Sequence, residues 1–275
     1  MSAPLTFTLR KALRAAVDLS PLTPDRLADL ALTAIRDIPL AAGKASPRVE
    51  ELFLVTGKDS AHLLFRRASD RFYSIGAGMT GGLIEVQGQA GDYLGLGMRG
   101  GKILVRGHAG AFAGAGMRGG LIEVRGNSGD LVGAARAGDR YGMNDGIILV
   151  TGNAGARVGD RMRRGTIVIK GSAGDYCGAR MAAGTIVVLG EVGRFTGLGM
   201  RRGTIVLGRR PKERHACFNR CGTLKMQFLR ILFRHLARSH RALADLAQRG
   251  PLCDRYSGDM AIGGDGEIMI LRNSY

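Results

Sequence analysis

The chain has 275 residues and a formal charge of +17, from 40 Lys+Arg against 23 Asp+Glu. That length can bury a sizeable core, and the charge calls for an acidic partner: nucleic acid, an anionic ligand or acidic protein surfaces. No apolar run approaches the roughly 20 residues of a membrane span, the start MSAPLTFTLRKALRAAVDLS lacks a signal-peptide core, and four cysteines do not make a disulfide scaffold, so a cytoplasmic protein with no membrane attachment is expected.

Residues 1–77 read as an N-terminal cap with lead-in strands. LTFTLR is strand-like, and Thr23-Pro24 is a sound helix start for LTPDRLADLALTAIRDIPL, with Thr as cap and Pro in the first turn. Residues 51–77 look like strands leading into a repeat, covering a sheet edge that would otherwise be open.

The repeat occupies 78–210. Units begin at Gly78, Gly97, Gly116, Gly142, Arg161, Arg180 and Gly199, with steps of 19, 19, 26, 19, 19 and 19 residues. The single long step holds seven extra residues, ARAGDRY (135–141), which read as a loop between units. One column is isoleucine throughout: Ile84, Ile103, Ile122, Ile148, Ile167, Ile186 and Ile205. Two residues on comes a β-branched or leucine column from Val86 to Leu207, so each unit contains a short strand with one buried face. The positions between (Glu85, Leu104, Glu123) vary freely, as an outward face would, and a methionine column from Met79 to Met200 reads as core filler. Glycines follow each strand at G-x-x-G-x-x-x-G, where corners need positive φ. One strand per unit cannot bury its own face, so units must stack. The predicted fold is mainly β: a right-handed parallel β-helix of about seven 19-residue coils, with a small N-terminal α/β cap and a long C-terminal helix.

That helix is expected over Thr223–Arg249, stopped by Gly250-Pro251, and long enough to run along the whole stack. Residues 262–271 look like a turn and a final strand. Residues 211–275 would thus pack on the coils as a third region.

Little of this points to catalysis. Matches to GxGxxG such as Gly76-x-Gly78-x-x-Gly81 recur with the repeat and precede strands, whereas a dinucleotide site needs a helix next. Asp92, Asp130 and Asp175 share a column with Ala111, Ala156 and Arg194, which marks an outward corner. HACFNRC, with His215, Cys217 and Cys221, is a weak zinc signal, and no metal is assigned. Two basic columns carry more. Arg99, Arg118, Arg163 and Arg201 form one; Arg106, Arg125 and Lys170 form another. Stacking would place such cations about 5 Å apart, or 10 Å where a unit is skipped. Either neighbouring carboxylates absorb the charge, or a basic stripe awaits an extended polyanion or an acidic partner.

The succession GMTGGLIEVQGQAGDYLGLGMRGG, GMNDGIILVTGNAG, RMRRGTIVIKGSAGDYCGARMAAGTIVVLG and GMRRGTIVL resembles the C subunit of formylmethanofuran dehydrogenase. It is more similar still to the C subunit of the bacterial formyltransferase/hydrolase complex. LSPLTPDRLADL and FNRCGTLKMQFLRILFRHL extend the resemblance to nearly the whole chain. It implies a non-catalytic scaffold subunit in a hetero-oligomer with the other subunits of that complex. There a formyl group passes from formyl-tetrahydromethanopterin to a methanofuran-type carrier and is hydrolysed to formate, the chemistry belonging to those other subunits. The tetrahydromethanopterin and methanofuran-type carriers act on the complex, and no cofactor is assigned to this chain. Arg99, Arg118, Arg163 and Arg201 become candidate contacts for an anionic carrier tail or a partner. Two other readings stand beside it. The coils also resemble the C-terminal domain of the glutamate synthase large subunit, which would make the chain a structural coupling domain. Charge alone would suit a nucleic-acid binder, but no such motif is present and tryptophan is absent, so no nucleic-acid partner is assigned.

Overall fold

The computed structural model describes residues 3–213, 216–239 and 241–272. Fifteen strands are present among them. β1 (Pro4–Leu9), β2 (Val17–Asp18), β3 (Phe53–Thr56), β4 (Asp59–Ala68) and β5 (Phe72–Tyr73) lie before the repeat. The repeat supplies β6 (Leu83–Gly88), β7 (Lys102–Val105), β8 (Arg118–Val124), β9 (Asp145–Val150), β10 (Thr166–Ile169), β11 (Thr185–Val188) and β12 (Thr204–Leu207). β13 (Asn219–Lys225), β14 (Leu252–Gly258) and β15 (Gly266–Leu271) follow.

Thirteen of these form one large, mostly parallel sheet in the order β13-β14-β15-β12-β11-β10-β9-β8-β7-β6-β4-β1-β3. From β6 to β12 the register keeps column against column: Ile84 pairs with Ile103, Ile103 with Ile122, Ile122 with Ile148, and so on to Ile205. A second parallel ladder of isolated bridges runs Ala90, Ala109, Ser128, Ala154, Ala173, Val192. Successive units are therefore hydrogen-bonded at more than one side. The isoleucine, valine and methionine columns are fully buried in one continuous core. Such a core exists because every unit offers the same shape to the next.

Glycine is required where the turn closes over the isoleucine column. Gly114 has φ +69, and a Cβ there would sit 2.3 Å from Ile148 Cδ1. The other corner is unexpected. Ser74, Tyr93, Phe112, Leu131, Arg157, Tyr176 and Phe195 form a column in which side-chain-bearing residues hold φ between 57 and 64. Aromatic side chains stack along the corner: Tyr93 on Phe112 with centroids 5.0 Å apart, and Tyr176 on Phe195 at 4.9 Å. Contact along the stack offsets the backbone cost. The aspartate column beside it is structural too. Asp92, Asp130 and Asp175 each accept a backbone N–H of the next unit, from Ala111, Ala156 and Arg194, at 2.8 Å.

Before the repeat, Thr23 does precede a helix, but its side chain makes no cap bond and α1 (Pro24–Leu27) is a single turn. α2 (Leu32–Asp37) and α3 (Val49–Leu52) are short as well. A cluster of Phe7, Phe53, Phe65 and Phe72 fills the core of this region.

The long C-terminal helix is not seen. Thr223, Leu224 and Lys225 belong to β13 and pair with Asp254, Cys253 and Leu252. α4 (Gln227–Ser239) is 13 residues, about 20 Å long, and a separate 3-10 helix covers Arg241–Gln248 and packs on it. The reason lies on the sheet. Leu229, Phe233, Leu236, Leu243 and Leu246 share a second core with Leu149, Val168, Val187, Val206 and Met269. Those are the outward positions of β9–β12 and β15. The same column on β6–β8 holds Glu85, Leu104 and Glu123, so a longer straight helix would outrun the apolar strip.

Candidate functional site

At one edge of each unit the residue after the methionine begins the lead into the next strand. Arg99 N donates to Met79 O, Arg118 N to Met98 O, Asn144 N to Met117 O, Arg163 N to Met143 O, Ala182 N to Met162 O and Arg201 N to Met181 O. The backbone register thus sets the candidate arginines in one line. Asn144 stands between Arg118 and Arg163; Ala182 stands between Arg163 and Arg201.

The inserted loop turns part of this line into a cleft. Its volume is about 470 Å³, and Arg99, Arg118, Arg163, Arg136, Arg140 and Tyr141 are among its lining. Arg201 is not, because the alanine step carries it beyond the reach of the loop. The loop is held by its own ion pair, Arg136 Nε to Asp139 Oδ2 at 2.8 Å, and by Arg161, whose guanidinium donates to Asp139 O at 3.2 Å. The hydrogen bond from Arg136 pulls the Asp139 carboxyl below the usual carboxylate range and raises Arg136 in return. Two guanidinium groups, those of Arg140 and Arg163, lie over the Tyr141 ring with their central carbons 5.1 Å from its centroid. Each such contact contributes about 0.5–1 kcal/mol at an exposed site.

The electrostatics of the cleft are one-sided. Five arginines face a single carboxylate, Asp139, which is already committed to Arg136. Among the described residues, Arg99, Arg118, Arg140 and Arg163 have no carboxylate within ion-pair distance. The second basic column is different. Arg106 meets Glu85 at 3.5 Å, Arg125 meets Glu123 at 3.5 Å, and Lys170 meets Asp245 at 3.1 Å. Carboxylates absorb that column; the first is left for solvent or a ligand.

Other candidates have structural partners. His108 Nδ1 accepts the Asn127 N–H at 2.9 Å, continued by Asn127 to Asn153 and Asn153 to Ser172. His62 Nε2 lies 3.1 Å from Glu85. Cys177 is fully buried, and burial pushes its thiol up to about 12, so it is an inert core residue. His215 of the HACFNRC stretch lies outside the described residues; among those described, no three His, Cys, Asp or Glu side chains gather as a metal site. No described helix is long and apolar enough to cross a membrane.

Tyr141, Arg136 and Arg140 escaped the sequence reading. Their signal was the interruption itself: ARAGDRY breaks a strict period and carries two arginines and a tyrosine.

Comparison with known proteins adds the following. The GXGXG motif family matches residues 84–229. A chain in the X-ray crystal structure of the formyltransferase/hydrolase complex (FhcABCD) from Methylorubrum extorquens, in complex with methylofuran, is 36% identical, with a TM-score of 0.91. The match covers 98% of this chain and 100% of that one. Comparison with the curated proteins returns no match.

Proposed function

Because the chain belongs to the GXGXG family, among the C subunits of formyltransferase/hydrolase complexes, we propose that it is a non-catalytic scaffold subunit of such a complex. Its companions would transfer a formyl group from formyl-tetrahydromethanopterin to a methanofuran-type carrier and hydrolyse it to formate. The observation that carries this reading is full-length likeness at 36% identity, which includes residues 1–77 and the C-terminal hairpin as well as the repeat. The glutamate-synthase-like reading explains the repeat but gives no account of those flanks.

We read the stack as a right-handed parallel β-helix. The register-true ladder β6–β12, the second ladder through Ala90 and Val192, and the corner stack from Tyr93 to Phe195 support that description. A closed stack of this kind is stiff, because units are bonded to one another at several sides. Stiffness is what a platform between two catalytic subunits requires.

The cleft gives the platform a second task. Arg99, Arg118 and Arg163 would contact the anionic tail of the carrier. Exposed guanidiniums keep their water and interact weakly one by one. Several in line raise the local concentration of a polyanion without fixing it in one pose. A tethered carrier held in this way could exchange between two active sites while staying with the complex. The carriers themselves are substrates of the companion subunits, and this chain supplies charge and position.

The experiment is purification of the tagged chain from its own host, with native mass determination. Three companion subunits and formate release from formyl-tetrahydromethanopterin are expected. A chain that purifies alone, or with nucleic acid, would contradict the reading.

A further inference from the structure

A second surface lies at the far end of the sheet. β13 is the terminal strand, bonded to β14 on one side and to no strand on the other among the described residues. All its residues except Gly222 are exposed. Beside it, α4 buries Leu229, Phe233 and Leu236 against the sheet and leaves the opposite stripe open. Ile231 is 70% exposed, and Phe228 and Leu224 are each 38% exposed. Leu224 (on β13), Phe228 and Ile231 thus lead from the free edge onto the helix.

The sequence here is basic, and Asp245, which follows on the 3-10 helix packed against α4, is already paired with Lys170 at 3.1 Å. From Arg214 to Ala244 the sequence has seven Arg or Lys and no Asp or Glu. Arg220 is engaged with the buried Asp254 at 3.5 Å. Arg230 and Arg234 on α4 have no ion-pair partner among the described residues, and both are exposed.

We infer that the β13–α4 corner is the docking face for an acidic-rimmed apolar surface of a companion subunit. The inference rests on the proposed membership of a complex. Chemistry narrows the occupant to a protein of that kind. A second copy of this chain would set basic rim against basic rim, which costs several kcal/mol per close juxtaposition. A lipid surface would attract the same arginines, but it cannot satisfy the free N–H and C=O groups of an edge strand. A protein can do both: an added strand or loop satisfies the edge, and apolar anchors with acidic flanks match Ile231, Phe228 and the arginines.

The test uses this chain co-expressed with the other subunits of the complex. Phe228→Glu/Ile231→Glu should weaken assembly at least tenfold in dissociation constant, with the melting temperature of the isolated chain unchanged. Arg230→Glu/Arg234→Glu, which changes exposed residues only, should weaken it by a similar factor at low salt and less at high salt. Leu54→Glu, at the opposite end of the sheet and 50% exposed, should leave assembly intact. Wild-type assembly with both pairs of variants retaining wild-type affinity would overturn the inference while leaving the complex reading in place. So would loss of assembly equally in Leu54→Glu, self-association through Ile231, or binding of the wild-type chain to phosphatidylserine vesicles that these variants abolish. Failure of the wild-type chain to assemble at all would remove the premise instead.

Discussion

Two lines of cations run up the same stack, and their fates differ. Arg106, Arg125 and Lys170 leave the ends of strands, where the outward residues are Glu85 and Glu123 and a neighbour supplies Asp245; each is paired. Arg99, Arg118 and Arg163 leave the opposite edge, where Asn144 and Ala182 fill the gaps and, among the described residues, none of the three meets a carboxylate within ion-pair distance; Asp139, the acid of the cleft, is committed to Arg136. A repeat places like charges at about 5 Å by construction. Whether that becomes a cost or a site depends on what the neighbouring column holds. Charge in a repeat is read between columns rather than within one.

The limiting case of pairing is Asp254, only 1% exposed, with Arg210 and Arg272 at 3.1 Å and Arg220 at 3.5 Å. Thr223 Oγ1 donates to it at 2.6 Å. The Thr223 hydrogen bond, then Arg272, hold its carboxyl below the ordinary value of 3.8. Asp254→Ala removes the acceptor that three half-exposed guanidiniums and Thr223 share and should cost about 1–2 kcal/mol in a denaturant titration, because the arginines left behind can take up water. A lowered folded-state value stabilises the fold above the unfolded pKa and is lost as pH falls through the folded one. The wild type should therefore lose an acid-stability contribution below about pH 4 that Asp254→Asn lacks; parallel acid melts of the two would sink the assignment.

In the unpaired line the expected effect is on binding. Arg99→Ser/Arg118→Ser/Arg163→Ser should lower affinity for soluble polyglutamate at least tenfold by calorimetry, while the melting temperature stays within a few degrees. Tyr141→Ala removes the ring beneath Arg140 and Arg163 and should cost threefold or so, consistent with about 0.5–1 kcal/mol for a cation–π contact. Neutralising Arg106, Arg125 and Lys170 should leave polyglutamate affinity unchanged and shift stability by less than about 1 kcal/mol. Arg201→Ser, outside the cleft, should change least; an effect equal to that of Arg163→Ser would remove the distinction between line and cleft.

Much of the fold was legible because a 19-residue period repeats the same physical demand seven times. Ile84 to Ile205 could be read as one buried column without any structure. What the period hid were departures from it. The outward column changes from Glu85, Leu104 and Glu123 to Leu149, Val168, Val187 and Val206, and that switch marked where α4 would lie. Glu85, Leu104 and Glu123 alone suggest a free outward face, and the continuous apolar period of Thr223–Arg249 suggests one helix because nothing in it marks the division into β13, α4 and the 3-10 helix. The αL corner from Ser74 to Phe195 was hidden for another reason. Glycine signals positive φ, whereas Tyr93 and Phe112 adopt it because the stack holds them there. At the site, the line of arginines followed from spacing alone, but the wall came from a loop whose packing only tertiary structure shows.

The most direct measurement is formate release by the assembled complex carrying Arg99→Ser/Arg118→Ser/Arg163→Ser, across a series of salt concentrations. Transfer should be slower than wild type at low salt and converge with it at high salt, because screening already removes what the arginines supply. Rates that differ by the same factor at every salt concentration, or not at all, would contradict a scaffold that steers an anionic carrier.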